Sequence, residues 1–593
     1  VHTPHHRQPG ARTRLRTRDM LKGADGTADI LADCFSLEMW GGATFDTAYR
    51  FLHESPWERL EMLREKIPNI PFQMLLRGSN LVGYASYPDN LVRAFIAESA
   101  REGIDVFRVF DSLNWMPNME TAMDEVLRQG KFLEGTVCYT GDILDPTRDR
   151  YTLEYYVNFA KELERRGAHM LAIKDMSGLL KPYAAKKLVS TLKQEIGIPI
   201  HLHTHNTTDN QIATYLMAAE AGVDIVDCAI DSMSSTTSQP SLNAVVTALQ
   251  GQERDTGLDP EKLQTLSDYW ADVRLRYSQF EAGIKNPSTD IYRYEIPGGQ
   301  YTNLQPQVES LGLGHRFAEV KEMYRTVNLM LGDIIKVTPS SKMVGDLAIF
   351  MVQNDLTPEN IVEKGADLSY PDSVVSYFKG MMGQPPCGFP KDLQRVVLKG
   401  EKPITGRPGD LLPPTDWDQL RREIVKFYPN YEEPRSLISY AMYPKVYEEY
   451  VRHRKEYGYI MRMGSHVFFN GMAVGEMNKI NIEDGKTLMI KYIGLGDRND
   501  DGTRNVQFEL NGMRREVAVP DPTAADTAKT VVMADPNDKS QAGASIPGMV
   551  SKVNVKPGDQ VKVNDVLAVI EAMKMETSVC LLYTSDAADD LTR

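Results

Sequence analysis

From Phe35 to Met233, short apolar runs recur at a spacing that restricts the fold more than any other feature of the chain. FSLEMW, FQMLLRG, IDVFRVFDS, GTVCYTGD, MLAIKDMSG, IPIHLHTHN and DIVDCAIDS begin at Phe35, Phe72, Ile104, Gly135, Met170, Ile198 and Asp224, at intervals of 26 to 37 residues. One strand and one amphipathic helix fill such an interval. A βα unit repeated this often predicts an α/β chain whose parallel sheet closes into a (β/α)8 TIM barrel. Seven units are visible where closure needs eight, so the missing strand is expected before Phe35. Residues 1–16 do not read as that strand, and 1–12 look aberrant.

Each run ends on polar residues: Glu38, Arg77, Asp111, Tyr139 with Asp142, Lys174 with Asp175, His203 with His205, and Asp231 with Ser232. The C-terminal rim of such a barrel carries the active site. A formal net charge of −14, from 67 Lys plus Arg against 81 Asp plus Glu, argues against gripping a phosphate backbone, and no nucleic-acid partner is expected. Five cysteines without a C-x-x-C pair give neither a disulfide framework nor a thiolate zinc site, which suits a reducing compartment. No apolar run approaches the roughly 18 residues of a membrane span, so no membrane partner is expected. A bacterial-like cytoplasmic location is expected, with the mitochondrial matrix as the alternative.

Beyond the barrel, placed at 1–300, residues 301–450 read as a helical extension. Short alternating strands return from about Val467, with a hairpin turn at Asn511-Gly512, making 451–520 a small β-rich domain. Residues 521–544 have the composition of a flexible linker, 545–579 form a short β-meander, and 580–593 read as an unrelated tail.

Three constellations carry chemistry. In His201-Leu202-His203-Thr204-His205 a period of two puts all three imidazoles on one strand face, inside a barrel. Two of them with an oxygen ligand from another strand could hold a divalent metal such as zinc or manganese; the alternative is three inward histidines satisfied by hydrogen bonds. Lys174, ending the neighbouring strand, loses proton affinity on burial. Its free amine could form a Schiff base, or add CO₂ and offer the carbamate oxygen to a metal. In Glu571-Ala572-Met573-Lys574-Met575-Glu576-Thr577, behind IPGMV and VKPGDQV, a hairpin lysine between two methionines resembles a biotin-attachment site. Thr338-Pro339, read from the residues alone, is a helix N-cap followed by proline at the first helical position.

SLEMWGGATFD, WERL, FQMLLRGSNLVGY, YPDN, FRVFDSLN, YTGDILDP, LAIKDMSGLLKP, HLHTH, MSSTTSQPS, IPGGQYTNL, VTPSSKMVGD and EAMKMET are similar, in that order, to the carboxyltransferase half of the pyruvate carboxylase family of biotin-dependent carboxylases. The resemblance runs from about Thr13 to Val579. It implies a metal held by His203, His205 and a carbamylated Lys174, together with an Asp near the first strand. It also implies a pyruvate site at Arg77, Gln8, Tyr84 and Asp46, a proton shuttle at Thr338, a biotin pocket at Ser341 and Lys342, and covalent biotin on Lys574. The implied reaction moves CO₂ from carboxybiotin to pyruvate, giving oxaloacetate. Implied partners are a biotin carboxylase module, a biotin protein ligase and three further copies in a homotetramer, with 451–520 as the tetramerisation domain.

The chain departs from the family at both ends. Where the family's R-D-A-H-Q-S stretch supplies the metal-binding Asp, the matching positions are Pro4 for Arg, His5 for Asp and Gln8 for Gln. The biotinyl domain, a flattened β-barrel in the family, has only its first half, and the chain as written is not expected to become biotinylated. Two other functions fit the same residues: an oxaloacetate decarboxylase α subunit, and a scaffold without turnover. The β-rich 467–520 segment favours the carboxylase.

Overall fold

The computed structural model of the protein describes residues 14–281, 286–365, 368–483, 485–521, 542–543, 549–556, 559–562, 565–572 and 575–580. Each of the seven expected runs meets a strand, the fourth starting three residues earlier than expected: β1 (Leu37–Trp40), β2 (Phe72–Leu76), β3 (Val106–Val109), β4 (Phe132–Cys138), β5 (Met170–Asp175), β6 (Ile200–Thr204) and β7 (Ile225–Val226). They form one sheet in chain order with parallel neighbours throughout. Most are buried on both faces, as strands covered by helices outside and side chains inside must be.

The sheet curls. Five interstrand steps of about 4.8 Å would part β1 from β6 by about 24 Å if it were flat. Instead Phe35, just ahead of β1, stands edge-on to His201 of β6 with ring centroids 6.1 Å apart. Arg108 of β3 also reaches Asp227, just past β7, at 2.5 Å. Side chains from opposite staves therefore meet in a common interior. Residues 1–13, at the start of the stretch expected to hold the eighth strand, lie outside the described residues.

The helical region expected as one layer over 301–450 divides between two cores. Val320, Val327, Met343, Leu347, Val374 and Leu393 build a core separate from the barrel's. The later helices Arg435–Met442 and Pro444–Tyr457 join the barrel core instead, and Ser439 Oγ sits 2.9 Å from both Tyr49 Oη and Trp57 Nε1. The boundaries placed at 300/301 and 450/451 fall inside the helices Gly298–Ser310 and Pro444–Tyr457.

The strand expected from Val467 is a helix, Ser465–Asn470. Its aromatic residues find ring partners on the barrel rather than a neighbouring strand: Phe468 lies under the Arg16 guanidinium, and Phe469 meets Tyr277 and Phe280. Strands resume with β8 (Met477–Glu483), β9 (Lys486–Arg498), β10 (Thr503–Leu510) and β11 (Met513–Pro520), an antiparallel sheet ordered β11-β10-β9-β8. Asn511 and Gly512 join β10 to β11 with φ of 49° and 82°, the paired positive angles of a type I′ hairpin turn. A second antiparallel sheet comprises β12 (Met549–Val553), β13 (Val566–Ala572) and β14 (Met575–Cys580). Cys580, expected to open the tail, instead pairs with Val566. Among the described residues no helix is long and apolar enough to cross a membrane.

Candidate metal centre and anion pocket

β5 and β6 run parallel with Lys174 opposite His203, which places the amine and the imidazoles side by side on the inner face. His203 Nε2 and His205 Nε2 lie 3.2 Å apart. The other nitrogen of each ring is already engaged: His203 Nδ1 is 2.8 Å from Asp227 Oδ2, and His205 Nδ1 is 2.7 Å from the carbonyl of Thr237. Both partners accept hydrogen bonds, so both Nδ1 atoms carry protons and the two Nε2 lone pairs face one another. Two lone pairs at that separation require a cation between them, either a proton or a metal. Two metal–nitrogen bonds of about 2.0–2.1 Å at a near-tetrahedral angle would part the nitrogens by roughly 3.3 Å. The imidazoles therefore fit a divalent metal.

Among the described residues no cluster of three His, Cys, Asp or Glu forms a metal site. A third donor on this face has to come from elsewhere, and Lys174 is the adjacent group. Its Nζ is buried, contacts Met176 Sδ at 2.6 Å, lies 5.0 Å from the centre of the Phe110 ring and forms no ion pair among the described residues. Burial brings its pKa down to about 8. The lowered value favours the neutral, nucleophilic amine more than the ordinary lysine value does.

His201, the innermost of the three imidazoles, belongs to a different unit. Its Nδ1 lies 2.6 Å from Glu134 and its Nε2 2.8 Å from Asp227, and Arg108 bridges the same two carboxylates at 2.6 and 2.5 Å. Burial works against the charge on His201, but Asp227 and Glu134 outweigh it and raise its pKa. Asp227 is a residue that sequence reasoning missed. Its strand is two residues long, and the acid chosen at that strand end, Asp231, is exposed. The signal was the Asp-Ile-Val-Asp repeat at 224–227. Two further strand-end acids clamp loops: Asp111 accepts from the amides of Leu113 and Trp115, and Asp175 from those of Leu179 and Leu180.

Arg77, ending β2, points its guanidinium at three backbone carbonyls, those of Val82, Gly83 and Gly42. It is buried, forms no ion pair among the described residues and leaves Nε without a hydrogen-bond partner. A buried cation hydrogen-bonded to neutral carbonyls is suited to hold an anion. Tyr84 lies with its ring 5.5 Å from the guanidinium, and burial pushes its phenol up to about 12, so it stays a protonated donor. Asp46 is buried nearby and pairs with Arg50 at 3.0 Å.

Thr338 does not cap a helix with proline at the first helical position. The helix is Ser340–Gln353, Pro339 occupies the cap position, and no side chain caps it. Ser340 closes the turn instead, accepting from the Val337 amide and lying 2.7 Å from the carbonyls of Ile335 and Val337. The half-buried Thr338 is carried over the barrel rim, because Ser340 Oγ reaches the carbonyl of Ser112 past β3 and Lys336 Nζ reaches Thr140 past β4, each at 3.3 Å. Ser341 is buried, whereas Lys342 pairs with Asp346 at 2.6 Å. Gln8 and Lys574 lie outside the described residues, although β13 and β14 pair up to Ala572 opposite Met575.

Three family models match the chain: a conserved carboxylase domain over residues 291–491, an HMGL-like domain over 145–269, and a biotin-requiring enzyme domain over 538–581. Over 568 residues the chain is 52% identical to the pyruvate carboxylase of Staphylococcus aureus, covering 96% of this chain and 49% of that protein. Against the mitochondrial pyruvate carboxylase of Homo sapiens it is 46% identical over 570 residues, covering 96% and 48%. The chain thus spans about half the length of the curated relatives it matches. The carboxyl transferase domain of Rhizobium etli pyruvate carboxylase, solved with pyruvate and biocytin, superposes with a TM-score of 0.85 at 48% identity, covering 88% of this chain and 87% of that one.

Proposed function

Because this chain belongs to the pyruvate carboxylase family and matches its carboxyl transferase domain, we propose that it transfers a carboxyl group to pyruvate, forming oxaloacetate. The observation that carries this reading is the facing pair of Nε2 atoms on His203 and His205, each with its Nδ1 tied to an acceptor, beside the buried amine of Lys174. His203 and His205 would hold the metal, and Lys174, after adding CO₂ and losing a proton, would give it an anionic oxygen. When bound, the metal supplies a Lewis acid for developing oxyanion charge, and biotin on Lys574 supplies the carboxyl group.

The chain's own residues position and deprotonate the substrate. Arg77 holds the pyruvate anion, and its buried charge gains worth as negative charge grows on the keto oxygen during enolisation. Tyr84 and Asp46 shape that pocket. The Thr338 hydroxyl would take a proton from the pyruvate methyl while passing its own to the biotin nitrogen that has given up CO₂. The C–H electron pair becomes the enolate, whose carbon then bonds to CO₂. Ser341 and Lys342, three and four residues further along the chain, would line the biotin pocket; an ion pair with Asp346 holds Lys342.

Thr338→Ala tests the assignment. Oxamate-stimulated decarboxylation of oxaloacetate in the presence of free biotin should fall by about 100-fold or more while bound metal is unchanged; retained turnover overturns the role of Thr338. The match over 538–581 supports Lys574 as the attachment point. The chain as written is not expected to give a streptavidin-reactive band after co-expression with a biotin protein ligase; a band that appears and is lost in Lys574→Arg overturns that expectation. Since relatives of twice this length surround the matched part, a biotin carboxylase module is the proposed source of the carboxyl group. A homotetramer is supported by β8–β11, whose Ile480, Tyr492, Val506, Phe508, Leu510 and Val517 share one sheet face and are not buried. A cytoplasmic or mitochondrial setting fits the scattered cysteines and the relatives from both.

A further inference from the structure

Asp227 lies among contacts that hold its carboxylate still. Its amide donates to the carbonyl of Leu202 at 3.0 Å, and its own carbonyl accepts from Tyr215 Oη at 2.6 Å. Three cationic or polar side chains then converge on the carboxylate. Oδ2 takes Arg108 Nη1 at 2.5 Å and His203 Nδ1 at 2.8 Å, and Oδ1 takes His201 Nε2 at 2.8 Å. Arg108 is itself fixed from the other side by Glu134.

We infer that Asp227 is the positioning residue of the metal centre, fixing His203 in the tautomer that carries its proton on Nδ1 and presents the Nε2 lone pair to the metal. This inference rests on the metal centre proposed above. The competing tautomer would have His203 Nδ1 accept from Arg108 Nη1, but that contact is 3.4 Å against 2.8 Å to the carboxylate, and a lone pair at 2.8 Å from an ionised oxygen is repelled. The two ligands are backed differently: a carboxylate lies against His203 Nδ1 and the neutral carbonyl of Thr237 against His205 Nδ1. Carboxylate backing makes an imidazole the stronger donor. Glu134 provides the internal comparison, because it binds Arg108 and His201, two of the side chains that Asp227 also holds.

The experiment strips the full chain of metal with a chelator and titrates it with Mn²⁺, reading free ion by electron paramagnetic resonance and the fold by circular dichroism. Asp227→Ala is expected to weaken Mn²⁺ binding by about 10- to 100-fold, and the nearly isosteric Asp227→Asn, kept as a second variant in case the first does not fold, by about 10-fold. Glu134→Gln should stay within about threefold of the unaltered chain. Wild-type affinity in a folded Asp227 variant overturns the inference, as does an equal loss in Glu134→Gln, which would make the effect one of interior charge alone. An unaltered chain that binds no Mn²⁺ overturns the metal centre itself and this inference with it.

Discussion

At Lys174 a buried amine that forms no ion pair among the described residues shares a strand register with His203, whose Nε2 faces that of His205. If its carbamate completes the metal's ligands, Lys174→Ala should lower bound metal about tenfold or more, and acetate in the buffer should restore part of it by supplying the missing oxygen. Unchanged metal content by elemental analysis would remove Lys174 from the site. Gly78, next to Arg77, has φ of +42°, and a Cβ there would run into the carbonyl of Asn118. Gly78→Ala is therefore expected to cost about 2 kcal/mol or more in denaturant unfolding and to raise the pyruvate KM by displacing the guanidinium. Lys174, His203 and His205 were legible because strand alternation alone puts them on one face. Asp227 was not, because nothing in a two-residue strand says which of its flanking acids turns inward.

The contact between the turn ending at His53 and the helix Pro444–Tyr457 makes a prediction about pH. The imidazoles of His53 and His453 stack with centroids 3.7 Å apart and planes 6° apart. Burial, with His453 adding to it, lowers the His53 pKa from 6.5 to about 4. As pH falls below 6.5 the unfolded chain takes up a proton that the folded chain refuses until about 4, so stability is lost across that window and is fully present above it. Half exposure of the pair weakens the effect without changing its sign. Melting temperature should drop less steeply from pH 6.5 to 4 in His53→Gln than in the unaltered chain; parallel curves would contradict the assignment. The strands and the Asn511-Gly512 turn could be read in advance since each is set by residues next to it. The helix at Ser465–Asn470 could not, because its aromatic residues are held by Arg16, Tyr277 and Phe280, hundreds of residues away or nearly so in sequence. The division of the helical region into two cores depends likewise on contacts such as Tyr49 with Ser439, 390 positions apart.

Across the whole molecule, charge is gathered inside the barrel and apolar surface is left outside on β8–β11. The exposed face of that sheet places Val506 opposite both Leu495 and Val517, and Phe508 opposite Tyr492. A two-sided sheet without a core is not expected to stand alone, and copies of the chain are the proposed cover. Phe508→Glu should shift sedimentation toward smaller species while leaving metal content intact; an unchanged profile would place the assembly contact elsewhere. The barrel's claim to chemistry rests on the cation between His203 and His205. Anomalous diffraction recorded at the manganese and zinc edges from crystals of the full chain measures this directly. One peak about 2.0–2.2 Å from both Nε2 atoms, with density for a carboxyl group extending from Lys174, is the predicted result; no peak there, or a peak bound elsewhere, would contradict it.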